Sequence, residues 1–305
     1  MSYSKIKTII RTNINFIYQC IAKLIVCVAV VSTLSIHALQ ATSKQDSLIQ
    51  EEPMQGILLA ETDSTQSDLT QYQPLGMFAI LLQLSDNQFH FEQKQASYSR
   101  SWSDLNKLGN ACMYNKFKSP EREAVAYFSQ KPITVYPPLR LIVLKKNTGI
   151  VAEPVDLENL PALMAGHIGV VSSRSYGEKL DHILAQQPQN FYVRSGMNST
   201  NKLIEMLIKE RVLGVIEYSA EASLVTDKIG ISAEFHAIPI KGVLTPDLGY
   251  MACSKTPQGK ALVGIIDQVM ATDEFKKAFI NEHNSHFNQE EQDLLKPEID
   301  RLMQW

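Results

Sequence analysis

Four stretches of the 305-residue chain put charged and hydroxyl side chains where a small ligand could be held. In Lys118-Ser-Pro-Glu-Arg122, Ser119 is a good helix N-cap and Pro120 a good first helical residue. That places Arg122 one turn into a helix, close to the end of an apolar strand expected over 111–114. Ligands of open α/β sheets bind beyond the carboxyl ends of strands. An arginine there can grip a carboxylate through two parallel hydrogen bonds. A surface Arg122 paired with Glu121 or Glu123 fits the same residues. Arg194-Ser-Gly-Met-Asn-Ser-Thr200 leaves a strand and opens a helix, whose free N–H groups and dipole attract an anion. Ser195, Ser199 and Thr200 are candidate ligand groups there, unless spent on capping. Ser172-Ser-Arg-Ser-Tyr-Gly177 is a similar turn, with Arg174 as its candidate. Glu217 ends a strand, where its carboxylate could hold an ammonium group or pair with Arg211 or Lys228.

Enzymatic chemistry lacks its parts. No G-x-S-x-G, H-E-x-x-H, P-loop or G-x-G-x-x-G motif is present. Ser195 and Ser199 have no paired base. His283-x-x-His286 with Glu282 lacks a complete ligand set and reads as a solvated helix end. The expectation is therefore no catalytic residue, no metal and no cofactor.

The elements that must position these groups alternate. Strands are expected over 54–60, 89–95, 111–114 and 139–144, with helices over 74–84 and 101–108, the latter capped by Ser101. The pattern restarts near Asn147, with strands over 167–171, 191–193, 212–217 and 234–239 and helices over 176–186 and 199–209. A strand over 249–254 and helices over 258–270, 273–282 and 289–303 end the chain. Strands alternating with helices argue an α/β protein with mostly parallel sheets. The last strand and helices are best used to complete the first block. That gives a lobe of two segments, 54–147 plus 243–305, with a second lobe, 148–242, inserted. Two crossings, near 146–150 and 240–247, make a hinge and therefore a cleft.

Composition adds the compartment. The chain is 45% apolar and 20% charged, which is ordinary for a globular protein, and its net charge of -3 leaves no basic footprint for nucleic acid. Residues 1–38 carry only basic charges and a short apolar run ending in small residues, the pattern of a secretory signal peptide, either cleaved after Ala38 or retained as an anchor. Residues 39–53 read as a flexible leader. Removing the signal leaves 25 basic against 32 acidic residues, a net charge of -7 that suits the periplasm. Cys112 and Cys253 remain, as a disulfide in an oxidising compartment or as two separate thiols.

These pieces, in this order, resemble periplasmic solute-binding protein family 3, the type-2 fold of polar amino-acid ABC receptors. Lys118-Ser-Pro-Glu-Arg122 through Tyr127-Phe-Ser-Gln-Lys-Pro132 is similar to a family stretch whose arginine holds the ligand α-carboxylate, which points to Arg122. His167-Ile-Gly-Val-Val171 with Ser173-Arg-Ser-Tyr-Gly177 resembles the start of the second lobe. Val215-Ile-Glu217 resembles the strand whose acid meets the α-amino group. A subgroup looks similar at Gly109-Asn-Ala-Cys112, Arg174-Ser-Tyr-Gly177 and Ala252-Cys-Ser-Lys-Thr-Pro257. The resemblance implies that strand 249–254 flanks strand 111–114, which would make Cys112 and Cys253 neighbours. It also implies a monomeric receptor for a small polar, amino-acid-like solute, read by an ABC permease. One departure stands out: the family's first strand ends in an aromatic, proline-bearing loop, and Leu58-Leu-Ala-Glu-Thr-Asp63 has neither. It motivates a second reading, a sensory or adaptor protein on the same scaffold.

Overall fold

The computed structural model describes residues 52–60, 76–231 and 233–304. The expected signal peptide, the leader up to residue 51 and the loop residues 61–63 lie outside the described residues. The strands are β1 (Met54–Ala60), β2 (Phe89–Gln95), β3 (Ala111–Lys116), β4 (Ala126–Phe128), β5 (Thr134–Tyr136), β6 (Arg140–Leu144), β7 (Ile168–Val171), β8 (Phe191–Arg194), β9 (Gly214–Glu217), β10 (Phe235–Pro239) and β11 (Asp247–Ser254). The helices are α1 (Met77–Leu84), α2 (Tyr98–Lys107), α3 (Pro120–Val125), α4 (Glu178–Gln186), α5 (Ser199–Ile208), α6 (Ser219–Ile229), α7 (Pro257–Met270), α8 (Asp273–His286) and α9 (Gln289–Met303).

Two sheets form. The first runs β2-β1-β3-β11-β4, with β5 also on β11; the second runs β10-β6-β9-β7-β8. In each, the parallel strands (β2, β1, β3 and β8, β7, β9) are closed by antiparallel ones. The fold is thus a two-lobed α/β architecture with each sheet flanked by helices. Strand β2 shows why the sequence was readable: Phe89 and Phe91 are buried while His90 and Glu92 are exposed, so one face packs and the other meets water.

Several elements differ from expectation. Strand β6 hydrogen-bonds to β9 and β10 in the second sheet, although the sequence assigned it to the first block. An apolar run fits either sheet, and only its partners decide. The first crossing therefore lies at residues 137–139 instead of 146–150, and the second at 240–246. They run side by side, since Tyr136 pairs with Asp247 and Arg140 with Pro239. Helix α2 starts at Tyr98: Ser97 takes the extended N-cap conformation, and Ser101, expected as the cap, donates its backbone N–H to the Ser97 carbonyl at 2.8 Å.

The return strand β11 is tied to the first lobe covalently. Cys253 pairs with Cys112 across β11 and β3, the two Cα atoms are 4.0 Å apart, and the sulfurs are bonded. Helix α7 follows at once, capped by Thr256, whose hydroxyl accepts from the Gly259 N–H at 3.0 Å, with Pro257 in its first turn. A Cβ on Gly259 would lie 2.0 Å from the Ser254 carbonyl oxygen, so the helix can start this close to the strand only on glycine. His283, expected at a solvated helix end, is instead buried. Its Nε2 accepts from the Val135 N–H at 2.9 Å and its Nδ1 donates to the Phe279 carbonyl at 2.7 Å. Those partners fix one neutral tautomer, and burial pushes its pKa down to about 4. It fastens β5 to α8. Among the described residues no group of His, Cys, Asp and Glu is arranged to hold a metal, and no helix is long and apolar enough to cross a membrane.

Candidate functional site between the lobes

The first wall forms where the local sequence prescribes it. Ser119 caps α3, accepting from the Arg122 N–H at 3.3 Å, with Pro120 in the first turn. The Arg122 side chain turns back, donates to the Phe117 carbonyl at 3.2 Å and lies 4.8 Å from the Trp102 ring centre. It is half-buried. Burial lowers its pKa, and the carboxylates of Asp181 and Glu121 oppose that shift. Asp181 belongs to α4 in the second lobe, so the guanidinium senses the opposite wall. Two more cations line this rim on aromatic faces: Lys116 lies 5.0 Å from the Tyr98 ring centre and Lys118 4.0 Å from that of Tyr250.

The second wall is the carboxyl edge of β7, β8 and β9. Ser172 donates its N–H to the Arg194 carbonyl at 2.8 Å, which holds the turns after β7 and β8 together. Gly177, at φ 86°, lets the chain bend into α4 where a side chain would be strained. Here the structure brings together two residues proposed separately. Arg174 forks onto Glu217: Nη2 donates to Oε1 at 2.7 Å and Nη1 to Oε2. Oε1 also accepts from the Tyr218 N–H at 3.0 Å. Burial works against the Arg174 charge, but the Glu217 carboxylate, together with the Tyr98 and Tyr176 hydroxyls, more than offsets it and raises the pKa. Glu217 is thus already satisfied by its own chain.

The remaining candidates do not converge on that pair. Ser195 is exposed and Thr200 half-buried. Ser199 is fully buried and its hydroxyl donates to the Gly196 carbonyl at 2.8 Å; Asn198, in the left-handed conformation, takes the N-cap position. Ser199 therefore braces the turn from behind.

Groups not singled out in the sequence bridge the lobes beside the crossings. The rings of Tyr136 (first lobe) and Tyr218 (second lobe) lie 4.5 Å apart. Their hydroxyls cross over: Tyr136 donates to Glu221 of α6 at 3.2 Å and Tyr218 donates to Asp247 of β11 at 2.9 Å. Burial pushes the Glu221 carboxyl up to about 8, with the Glu217 charge adding to it. It pushes Asp247 up to about 7. Beside the crossings, then, Arg174 and Glu217 cancel at pH 7, Glu221 is largely protonated and Asp247 about half so.

No protein-family model matches the chain, and no curated protein matches it. Solved structures do. An amino acid ABC transporter substrate-binding protein from Streptococcus pneumoniae bound to L-arginine is 16% identical, with a TM-score of 0.54, covering 77% of this chain and 97% of the other. An ABC uptake transporter substrate-binding protein from the same organism with bound histidine is 13% identical (TM-score 0.56; 79% and 94% covered). A Salmonella typhimurium periplasmic binding protein of high arginine specificity is 14% identical (TM-score 0.54; 78% and 100% covered). The chain has the two-lobed fold of these substrate-binding proteins.

Proposed function

We propose that the protein is a periplasmic solute-binding protein, exported through its N-terminal signal. It captures a small polar, amino-acid-like solute between its lobes for an ABC permease, works as a monomer and catalyses no reaction. The observation that carries this reading is Arg122. It is a half-buried cation on one wall, within range of the charge of Asp181 on the other, with no ion-pair partner among the described residues. A carboxylate arriving there gains charge-assisted hydrogen bonds with little reorganisation, because Trp102 and Phe117 already hold the guanidinium. Ser195 and Thr200 stand on the opposite wall. Two short crossings let the lobes close on the solute, and the closed form is what a permease reads. The fold likeness to substrate-binding proteins supports this reading over that of an adaptor with a degenerate cleft.

Isothermal titration with amino acids and small carboxylates tests it. Wild type should bind at least one, and Arg122→Ala should bind that solute far more weakly. Equal binding by Arg122→Ala would remove the proposed site.

A further inference from the structure

The carboxyls within range of Arg122 or Arg174 are engaged by the chain itself. Both oxygens of Glu217 accept from the Arg174 fork, and Oε1 also takes the Tyr218 N–H. The side chain of Arg174 is 12% exposed and that of Glu217 2%, so the pair is largely shut off from water. Asp181 accepts from the Ser175 hydroxyl at 2.5 Å and, through its other oxygen, from the Tyr176 N–H at 2.7 Å. Glu221 and Asp247 each hold a tyrosine hydroxyl, and burial raises both pKa values. Glu121, beside Arg122 on α3, is exposed and bonded to the Ser119 side chain. Asp181 acts on Arg122, and Tyr176 lies within range of Asp181, Arg174 and Glu217. The two guanidiniums thus border one region of the cleft. Arg122 has no ion-pair partner among the described residues. Arg174 spends two N–H donors on Glu217 and, like any guanidinium, carries more. The region therefore offers donors and positive charge, and no free carboxylate for an ammonium.

We propose that the solute is a small α-hydroxy or α-keto acid instead of an α-amino acid, with its carboxylate on Arg122 and its α-oxygen facing Arg174. This deepens the solute-binding reading and rests on it. An α-oxygen accepts from the donors that Arg174 keeps. An ammonium has only donors and would meet a guanidinium of like charge. To reach Glu217 it would have to displace Arg174, and pulling one partner from a buried pair leaves a charge uncompensated. That penalty falls on every amino acid alike, whatever its side chain, so the selection acts at the α-substituent.

The test is titration calorimetry on wild type with probes that differ only in the α-substituent: L-alanine against L-lactate and pyruvate, L-aspartate against L-malate, and L-glutamate against α-ketoglutarate. At least one hydroxy or keto acid should bind, at least about tenfold more tightly than its amino acid. Arg174→Ala frees Glu217 for an ammonium, so there the preference should shrink at least about tenfold or reverse. Wild type carries the test alone should that variant not fold. The proposal is overturned, with the solute-binding reading intact, if any amino acid binds as tightly as the hydroxy and keto acids of the same side chain, or if folded Arg174→Ala keeps the wild-type preference. If no amino, hydroxy or keto acid binds wild type, the proposal falls; if no carboxylate of any kind binds, the solute-binding reading falls with it.

Discussion

Arg122 and His283 show two opposite uses of a polar side chain. Arg122 is held by one ring and one carbonyl, so its truncation should spare the fold and cost affinity. We expect Arg122→Ala to lose about 2–3 kcal/mol of solute binding, roughly 30- to 150-fold, with the melting temperature within a few degrees of wild type. Titration calorimetry and a thermal melt read the two effects. His283 is structural. Its folded pKa of about 4 lies below the ordinary 6.5, so the unfolded chain takes up the proton first. Its contribution is complete above pH 6.5 and fades as the pH falls toward 4. His283→Ala should cost about 2–4 kcal/mol at neutral pH, through the cavity and the orphaned Val135 N–H, in a urea melt. The helix start that places Arg122 was legible in the sequence because a serine followed by proline fixes it locally. The Arg174–Glu217 fork was not. Both residues were singled out, but their meeting depends on the register of β7 beside β9, which no local pattern encodes.

Among the elements, those with strong periodicity or local capping were readable: β1 and β2 end where the sequence places them, and α7 and α9 within a residue or so. Helix α6 was missed. Its buried face is Ala222, Val225 and Thr226, too small and too polar to mark a helical stripe, and Glu221 was lost with it. Strands β4 and β5 were missed because three residues cannot display alternation, which hid Tyr136. The junction of β11 and α7 gives the sharpest test at this scale. Thr256→Ala removes the cap and the hydroxyl's bond to the Gly109 carbonyl and should cost about 1–2 kcal/mol. Gly259→Ala should cost more, because its Cβ meets backbone that cannot move aside. Denaturant midpoints of the two variants, side by side, check the order.

At the scale of the whole molecule, the chain passes through the second lobe between two points locked together in the first. The Cys112–Cys253 bond spans 141 residues, so breaking it frees a large loop in the unfolded chain. On the chain-entropy account, Cys112→Ala/Cys253→Ala should lose up to about 5 kcal/mol of stability, measured by denaturant titration. The contact beside the crossings adds a pH dependence. Glu221 and Asp247 have folded pKa values of about 8 and about 7, above the ordinary 4.5 and 3.8. Their contribution is complete below the unfolded values and is lost as the pH rises through the folded ones. Above pH 6.5 the His283 effect is already complete and no longer opposes them. The melting temperature should therefore fall between pH 6.5 and about 8.5, and Glu221→Gln/Asp247→Asn should flatten that fall.

The central claim is that a small molecule is clamped between the two walls through Arg122. Native mass spectrometry of the protein and of Arg122→Ala, both purified from the periplasm without denaturation, tests it most directly. The account predicts a small polar adduct on wild type, released when the protein is denatured and absent or strongly depleted in the variant. Wild type that carries nothing and binds no amino acid or carboxylate on titration, or an adduct equally abundant on both proteins, would contradict it.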